Sequence, residues 1–381
     1  MKILHLGKYF PPYLGGMETV LRHLAEGLLD RSCEVTVLTA GDGPEELLQD
    51  LAGPVSGQVG RLVRAPVFGH AHSQPLTLTL AGILRREIVR LGPDLVHLHL
   101  PNPLAAATWL ALGLDRSMDL PPLAVWYHAD ITRQRLGKIL MRPVVAGCLA
   151  QASGISVSSS ALADGSPVLS PWRRKVGVIP FGIDPSPWID LPAELDGPFL
   201  FVGRLVPYKG LDVLLQAMVL AKGTELVIVG DGPQEGELKA QAEILQVADR
   251  VRFAGPMDET GVADHLARAR GLVLPSLDVS ETFGLVQLEA MASGVPVVAT
   301  DIPTGVREVG DPGRTCLLVP PGDAAALAGA LGSLQDDPGR ARQMGEAGRR
   351  LFQERYTREK MIDRLLRWYD SLLKAESGGP A

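Results

Sequence analysis

The sequence predicts an α/β protein of two doubly wound domains, and three observations support this fold class. Short apolar runs, typical of buried strands, alternate with amphipathic helical stretches along both halves of the chain. Such alternation is typical of parallel sheets with helices on both faces. Residues 166–198 contain seven prolines and no helical periodicity, which favours a stiff linker between the halves. The 381 residues are enough for two separate hydrophobic cores.

Each half contains six strand-like runs separated by helical stretches such as 18–29 and 78–91. In the first half the runs are residues 3–6, 35–39, 62–65, 95–99, 123–127 and 155–157. In the second half they are residues 199–202, 226–229, 251–253, 272–274, 295–298 and 317–319. We therefore expect a first domain over 1–180 and a second over 181–355. Ligands of open α/β sheets bind at the carboxyl ends of the strands, so a cleft between the two domains is the expected active site.

Composition excludes several classes of protein. The net charge of −6 gives no basic signature for nucleic acid, so no nucleic-acid partner is expected. The three cysteines are far apart and odd in number, which favours buried thiols in a reducing cytoplasm over disulfides or a metal site. The chain opens directly on a strand-like run, and no apolar run reaches the roughly 18 residues of a membrane span. A cytoplasmic protein, or one on a membrane surface, is expected.

Residues 274–300 organise the second half: an apolar strand, a polar loop, a helix, a Gly-Val-Pro turn and another strand. Glu281 lies in the loop and Glu289 in the helix, which we expect to begin near Phe283-Gly284. Free N–H groups and the helix dipole make such an end an anion site, and phosphate is the obvious ligand. Eight helical residues rise roughly 12 Å, too far for a hydrolytic carboxylate pair. Two contacts to one extended ligand, or two solvated carboxylates, remain as interpretations.

Two further loops of the second half follow strands. Gly203 and Arg204, with Lys209 five residues beyond, bring two cations to a strand's carboxyl end, where they can neutralise a diphosphate. Gly230 and Gly232 end the next strand and permit close approach of backbone to a ligand. The alternatives are solvated cations and an ordinary tight turn.

In the first half, Gly15-Gly16 follows strand one and opens a helix, which gives exposed N–H donors or only a packing turn. His128 ends an apolar strand, with Asp130 beside it as an acceptor contact or a helix cap. His97 and His99 are interpreted as mainly structural.

Three cations share one helical stripe and form either a solvated face or a strip for an acceptor pyrophosphate or anionic lipid: Arg135, Lys138 and Arg142.

The run E-T-F-G-L-x-x-x-E-A-M-A-x-G-x-P-V-V-A, which carries Glu281 and Glu289, resembles the signature of the retaining GT-B glycosyltransferases of family 4. The resemblance covers almost the whole chain. It implies the GT-B fold, with two Rossmann-like domains facing across a cleft and a last helix, over 356–375, crossing back to the first domain. The helical stretch 357–374 carries a suitable apolar stripe.

The same resemblance implies roles for single residues. Glu281 and His128 would contact the donor sugar and Glu289 the nucleotide ribose. Arg204 and Lys209 would bind the donor phosphates, and the Gly15-Gly16 loop would line the cleft near the diphosphate and acceptor. The backbone that faces the sugar hydroxyls and diphosphate would come from Thr282, Phe283, Gly284 and Leu285. The turn at Gly230 and Gly232 would lie near the nucleotide, and Gly203 would belong to the loop that binds the donor.

The implied reaction is transfer of a hexose from a nucleoside-diphosphate sugar to an acceptor, with retention and no cofactor. No Asp-x-Asp triplet occurs, so a metal-held donor is not expected. H-A-D-I-x-R-Q, P-F-G-I-D and Thr304-Gly305 resemble bacterial mannosyltransferases that build O-antigen on polyprenyl diphosphate carriers, which makes GDP-mannose the first donor and UDP-sugars the second. A sugar-nucleotide 2-epimerase and a non-catalytic sugar-nucleotide sensor are the alternatives.

Overall fold

The computed structural model describes residues 1–13, 15–71, 74–115, 117–130, 135–189 and 193–377, without the side chains of 71 and 135–140. The chain divides into two compact units. Unit 1 comprises Met1–Phe181 with Arg358–Ala381, and unit 2 comprises Gly182–Thr357. Among the described residues no helix is both long and apolar enough to cross a membrane.

Unit 1 contains a sheet of eight strands: β1 Lys2–Leu6, β2 Glu34–Ala40, β3 Leu47–Ala52, β4 Val59–Ala65, β7 Leu95–Leu100, β8 Leu123–Tyr127, β9 Gly154–Val157 and β10 Val176–Val178. Their order in the sheet is β10-β9-β8-β7-β1-β2-β4-β3. All neighbours are parallel except β3 and β4. A separate two-stranded ribbon joins β5 His70–Ala71 to β6 Gln74–Pro75. Because chain order reverses between β1 and β7, the topological switch point lies there.

Helices pack on this sheet, and those between residues 80 and 152 bury a continuous apolar core against it. The helices of unit 1 are α1 Gly16–Asp30, α2 Leu80–Leu91, α3 Pro103–Leu112, α4 Arg135–Gln151, α5 Ser160–Gly165 and, from the end of the chain, α13 Arg358–Ser377. Asn102 caps α3 by accepting a hydrogen bond from the Ala105 N–H at 3.3 Å.

The free thiols of Cys33, Cys148 and Cys316 are all buried, so the described chain confirms the prediction of buried cysteines.

The C-terminal helix packs on the first helix of the same unit. A Cβ added at Gly27 of α1 would lie 2.6 Å from Ile362 of α13, so the two helices are in close contact. Arg358, only 3% exposed, donates to Glu26 at 3.2 Å and to Asp30 at 3.5 Å. The prediction that the last helix returns to the first half of the fold therefore agrees with these contacts.

Unit 2 is built on a six-stranded parallel sheet of β11 Phe199–Val202, β12 Leu226–Val229, β13 Val251–Gly255, β14 Gly271–Leu274, β15 Val297–Thr300 and β16 Cys316–Val319. Their order in the sheet is β13-β12-β11-β14-β15-β16. This is the doubly wound order with the switch point between its first and fourth strands, here β11 and β14. The helices are α6 Leu211–Leu220, α7 Glu235–Ile244, α8 Glu259–Arg268, α9 Val286–Ser293, α10 Val306–Val309, α11 Ala324–Asp336 and α12 Pro338–Arg355.

The twelve predicted strands all occur, and the differences are local. The strand expected at 295–298 is Val297–Thr300, because Gly294 is left-handed and Pro296 has no N–H to give a sheet. The expected helix start near Phe283-Gly284 is wrong. The helix begins at Val286 because Gly284, with φ +73°, is not in a helical conformation. The sequence analysis missed β3, an exposed edge strand, and β10, which lies in the proline-rich stretch.

Candidate active site

The carboxyl ends of β11 and β14 bring two loops of unit 2 together at its switch point. The Leu277 N–H donates to the Tyr208 carbonyl at 2.7 Å, which joins the loop after β11 to the loop after β14. Gly210 makes this approach possible, because a Cβ there would lie 2.1 Å from the Pro275 carbonyl oxygen. The two loops carry Lys209 and Glu281, which are 72 residues apart in sequence.

Lys209 and Glu281 form a buried ion pair. Lys209 Nζ donates to Glu281 Oε2 at 2.5 Å, and each side chain is 11% exposed. The Ser276 hydroxyl donates to the same carboxylate oxygen at 3.2 Å. Burial alone would lower the pKa of Lys209, but the charge of Glu281, its hydrogen bond and the neighbouring Tyr208 together outweigh burial, so the pKa is raised and the ammonium stays charged. The sequence analysis did not identify Ser276, since nothing in a Leu-Pro-Ser run marks a carboxylate partner.

Positive charge is concentrated beside this pair. Lys209 Nζ lies over Gly203, 3.4 Å from where a Cβ would stand. Arg204 follows Gly203 and is exposed, and its guanidinium has no hydrogen-bond or ion-pair partner in the part of the chain that the structure describes. One paired and one free cation therefore occupy the loop after β11.

Backbone donors complete this edge of the sheet. Within the described ranges, the N–H groups of Thr282, Gly284 and Leu285 have no hydrogen-bond acceptor. The Thr282 carbonyl accepts from the Gly305 N–H at 2.9 Å, which fixes the loop from its other side. Gly284 places the chain immediately before α9 in a left-handed turn, and a Cβ there would meet Leu274 at 2.6 Å. Unpaired N–H groups before a helix form an anion-binding end.

The glycine turn after β12 is held against the same loop. Leu205 N–H donates to the Asp231 carbonyl at 2.7 Å. Gly230, with φ +128°, passes so close to the Gly203 carbonyl oxygen that a Cβ would lie 2.1 Å from it. Gly232 lies in the same way against the Leu205 backbone, at 2.5 Å. These glycines therefore position the Arg204 loop, whatever else they contact.

Glu289 is the fourth of the eight residues of α9 and is half-buried. Burial, helped by the negative charge of Glu259, raises the pKa of Glu289 to about 7. The carboxyl group is therefore poised between its neutral and charged forms at physiological pH.

In unit 1, His128 directly follows β8 and is only 3% exposed. Burial lowers its pKa to about 3, so the ring is neutral. Its Nε2 is hydrogen-bonded to Nδ1 of His99 at 3.0 Å. The Asp130 carboxylate accepts from Tyr127 at 2.6 Å and from Ser166 at 2.8 Å. These contacts anchor Asp130 locally; residues 131–134, between it and α4, lie outside the described residues.

The loop after β1 carries the two exposed glycines and an aromatic pair that the sequence analysis missed. Gly15 is the N-cap of α1, and its carbonyl accepts from the Thr19 N–H at 3.0 Å. Tyr9 and Tyr13 stack with ring centroids 4.3 Å apart. A hydrogen bond to Asp42 raises the pKa of Tyr13 to about 12. Two tyrosines four residues apart in a loop give no sequence signal of stacking.

The predicted cationic stripe lies on α4. Arg142 is exposed, whereas the side chains of Arg135 and Lys138 lie outside those that the structure describes. Among the described residues, the only group of three potential metal ligands is the buried set of His5, His97 and His99 in unit 1.

Comparisons with known proteins agree with this geometry. Residues 14–187 match the family model "Glycosyltransferase Family 4", and residues 197–337 match "Glycosyl transferases group 1". The chain is 29% identical over 388 residues to the O-antigen chain mannosyltransferase C of Escherichia coli, covering 99% of this chain and 100% of that protein. It is 32% identical over 369 residues to the D-rhamnosyltransferase WbpZ of Pseudomonas aeruginosa, covering 94% and 92%.

The fold is similar to that of HepE from Anabaena in complex with UDP-glucose, with a TM-score of 0.76 and 20% identity over 97% of this chain and 100% of that one. The two-unit architecture is thus the GT-B fold. The chain belongs to glycosyltransferase family 4, and it is a hexosyltransferase that takes its sugar from a nucleotide-sugar donor.

Proposed function

We propose that this glycosyltransferase transfers mannose from GDP-mannose, with retention of configuration and without a metal ion, to a glycan or to a sugar on a polyprenyl diphosphate in O-antigen-type polysaccharide synthesis. One observation carries the proposal. A buried Lys209–Glu281 pair lies beside unpaired N–H groups at the switch point of unit 2. The choice of mannose rests on the Escherichia coli relative, whose name is that of an O-antigen chain mannosyltransferase.

The donor diphosphate is seated by Arg204, Lys209 and the N–H groups of Gly284 and Leu285. Lys209 uses one of its three donors on Glu281 and keeps the others for phosphate oxygens. Removing one preorganised donor from such a site typically costs about 3–4 kcal/mol in the transition state. Two cations and two amides therefore supply the charge stabilisation that a metal ion gives elsewhere.

In the reaction, the bond between the sugar's anomeric carbon and the diphosphate oxygen breaks. A bond from the acceptor hydroxyl oxygen forms on the same face of the sugar, which retains configuration. The hydroxyl proton passes to the departing diphosphate, and the developing charge there is stabilised by Arg204, Lys209 and the amides of Gly284 and Leu285. Glu281 and His128 contact the donor sugar, whereas Glu289 binds the ribose hydroxyls and the turn at Gly230 and Gly232 approaches the nucleotide.

Unit 1 holds the acceptor. The exposed Gly15-Gly16 backbone and Asp130 contact the acceptor sugar, and the stripe of Arg135, Lys138 and Arg142 faces its pyrophosphate or an anionic lipid surface. Each cation near such a surface contributes about 1 kcal/mol. A polyprenyl carrier would place the enzyme on the inner face of the cytoplasmic membrane.

Replacing Glu281 with Gln tests the donor site. We expect kcat/KM to fall about 100-fold or more, because the sugar loses a charged contact made in the transition state. The Kd for GDP, measured by calorimetry, should stay within about threefold, because the Gln carbonyl oxygen still accepts from Lys209 and the nucleotide does not touch this side chain. Glu243→Gln, an exposed change on α7, is the matched control and should alter neither quantity. Unchanged turnover in Glu281→Gln would remove the residue from the sugar site.

A panel of donors and acceptors tests substrate identity. GDP-mannose and UDP-glucose are each incubated with and without a polyprenyl-diphosphate-linked sugar, and products are separated by mass. Mannose transfer only with acceptor present is expected. Transfer from UDP-glucose instead, the donor bound by HepE of Anabaena, would replace GDP-mannose in the proposal.

A further inference from the structure

Four buried histidines surround the switch point of unit 1. His5 on β1 lies opposite His97 on β7 in the strand register, and His99 follows two residues later on the same face. His128 follows β8, the next strand. All four side chains are at most 4% exposed. Apart from His128, none has a place in the proposed reaction, yet burying four imidazoles is costly unless they are hydrogen-bonded.

Three of these rings form one continuous chain of hydrogen bonds. His5 Nδ1 is 3.1 Å from His99 Nε2, and His99 Nδ1 is 3.0 Å from His128 Nε2. His99 therefore uses both of its nitrogens. His97 stands outside the chain, because its Nδ1 is hydrogen-bonded to the Tyr369 hydroxyl at 2.5 Å.

Neutral rings restrict the chain to two arrangements of protons. Burial lowers the pKa of His5 and of His128 to about 3 and that of His99 well below its ordinary value, so each ring carries one proton. Each neutral ring has one donor and one acceptor nitrogen. Both hydrogen bonds must then point the same way along the chain, towards His128 or towards His5.

The buried end of the chain decides between them. Within the described residues, His5 Nε2 has no partner and no exposure. If the bonds pointed towards His5, this atom would carry a buried N–H with no acceptor. If they point towards His128, it is an unfilled acceptor, which native structures tolerate better. His128 then accepts at Nε2 and carries its proton on Nδ1, the nitrogen that is free of the chain.

We propose that His5 and His99 are positioning residues that hold His128 in a single neutral tautomer, with the proton on Nδ1 available to an oxygen of the bound donor. The consequence for catalysis rests on the sugar contact proposed for His128, whereas the tautomer itself does not. The hydrogen bond that one ring nitrogen of a histidine makes determines whether the other nitrogen carries the proton, and so fixes the tautomer. A histidine in the wrong tautomer costs up to about 10⁴ in kcat in a known case.

A metal site is a weaker explanation of the same rings. Nitrogens of His5, His97 and His99 lie within 4.8 Å of one another, and imidazole is a good ligand for zinc. The His5 and His99 nitrogens already share a hydrogen bond, however, and His97 Nδ1 is held by Tyr369. An ion would have to separate His5 from His99.

Two-bond ¹H–¹⁵N NMR on protein labelled at its eight histidines distinguishes protonated from unprotonated ring nitrogens. Loss of one signal set in His128→Gln assigns His128. In the wild type we expect a proton on Nδ1 and none on Nε2. The opposite tautomer, or an equal mixture, would overturn the inference without any variant being needed. A joint shift of the His5, His97 and His99 signals on adding zinc would overturn it in favour of a metal site.

Variants of His99 test the cause. His99→Phe keeps an aromatic ring but removes the donor, so His128 should lose its tautomer preference and kcat should fall at least about tenfold, with the donor KM changed by less than about threefold. His99→Asn places an amide N–H near the position of Nδ1 and should restore much of both. His97→Phe, equally buried but outside the chain, is the control and should leave the His128 tautomer unchanged. A changed tautomer with unchanged kcat would sustain the positioning role and remove His128 from the proposed reaction.

Discussion

The two units hold buried polar groups at the same topological place by opposite means. In unit 1, β1 and β7 bury His5, His97 and His99 as neutral rings whose pKa values are lowered by burial. In unit 2, β11 and β14 lead into a charged pair, Lys209 with Glu281, in which the pKa of the lysine is raised. One switch point is polar without charge, and the other holds charge in compensated form.

This difference indicates what each unit can offer a ligand. A charged pair with a free arginine beside it can stabilise an anion such as a diphosphate. Neutral rings add no charge but can orient protons. The difference also means that different changes destabilise the two units. Unit 2 is destabilised when a buried charge loses its partner, and unit 1 is destabilised when a buried neutral ring gains a proton.

The largest effect is expected from breaking the ion pair of unit 2. Lys209→Met leaves the Glu281 carboxylate buried and uncompensated, which should lower the free energy of unfolding by about 3–5 kcal/mol. Denaturant titration measures the loss. Lys239→Met, in the exposed Lys239–Glu235 pair at 2.7 Å, is the matched control and should cost under about 1 kcal/mol. The double variant Lys209→Met with Glu281→Gln should regain part of the loss, and a double variant as unstable as the sum of both singles would contradict the pairing.

Acidification should lower the stability of unit 1 more than that of unit 2. The folded pKa of His5 and of His128 is about 3, below the ordinary 6.5, so only the unfolded chain takes up these protons as pH falls from 6.5. The free energy of unfolding is therefore highest above pH 6.5 and falls on acidification, by on the order of 2 kcal/mol for each of these two rings at pH 5. Glu289 has the opposite sign. Its folded pKa of about 7 means that the native state holds a proton between pH 4.5 and 7 that the unfolded state lacks, so this group stabilises unit 2 as pH falls.

Amide hydrogen exchange at pH 7 and pH 5, corrected for intrinsic rates, reports each unit separately. We expect protection in unit 1 to fall more than protection in unit 2 on acidification. Glu289→Gln should remove the gain in unit 2 and leave unit 1 unchanged. Equal losses in both units would show that the buried histidines and Glu289 do not set the pH dependence.

The smallest effect concerns the backbone that supports the charged site. Gly230→Ala forces a Cβ into a left-handed position against the Gly203 carbonyl oxygen, so the free energy of unfolding should fall by about 1–3 kcal/mol. Gly236→Ala on α7 meets no atom within 4 Å and should be neutral or slightly stabilising. Thermal unfolding of both variants makes the comparison, and equal melting temperatures would rule out the close approach of the two loops.

The sequence predicted the elements of the fold because apolar periodicity reports burial directly. The first and last residues of β8, β11 and β12 were all predicted correctly. The start of α9 was missed because it depends on the left-handed conformation of Gly284, which periodicity does not record. Strand β3 was missed because an exposed edge strand has little apolar pattern.

For the candidate site, the motifs located Arg204, Lys209, Glu281 and Glu289, but not how they interact. Lys209 and Glu281 are 72 residues apart, and His5 and His99 are 94 apart, so only strand order could bring them into contact. His97 and His99 were interpreted as mainly structural, and His5 was predicted only as one residue of the first strand.

The sequence by itself determined the two doubly wound cores and the loops that carry charge, since these follow from local periodicity and composition. The tertiary structure alone decided which polar groups meet. It placed a compensated lysine–glutamate pair at one switch point and a chain of neutral histidines at the other. The reason is physical: pKa values, tautomers and ion pairs are set by burial and by neighbours that are distant in sequence.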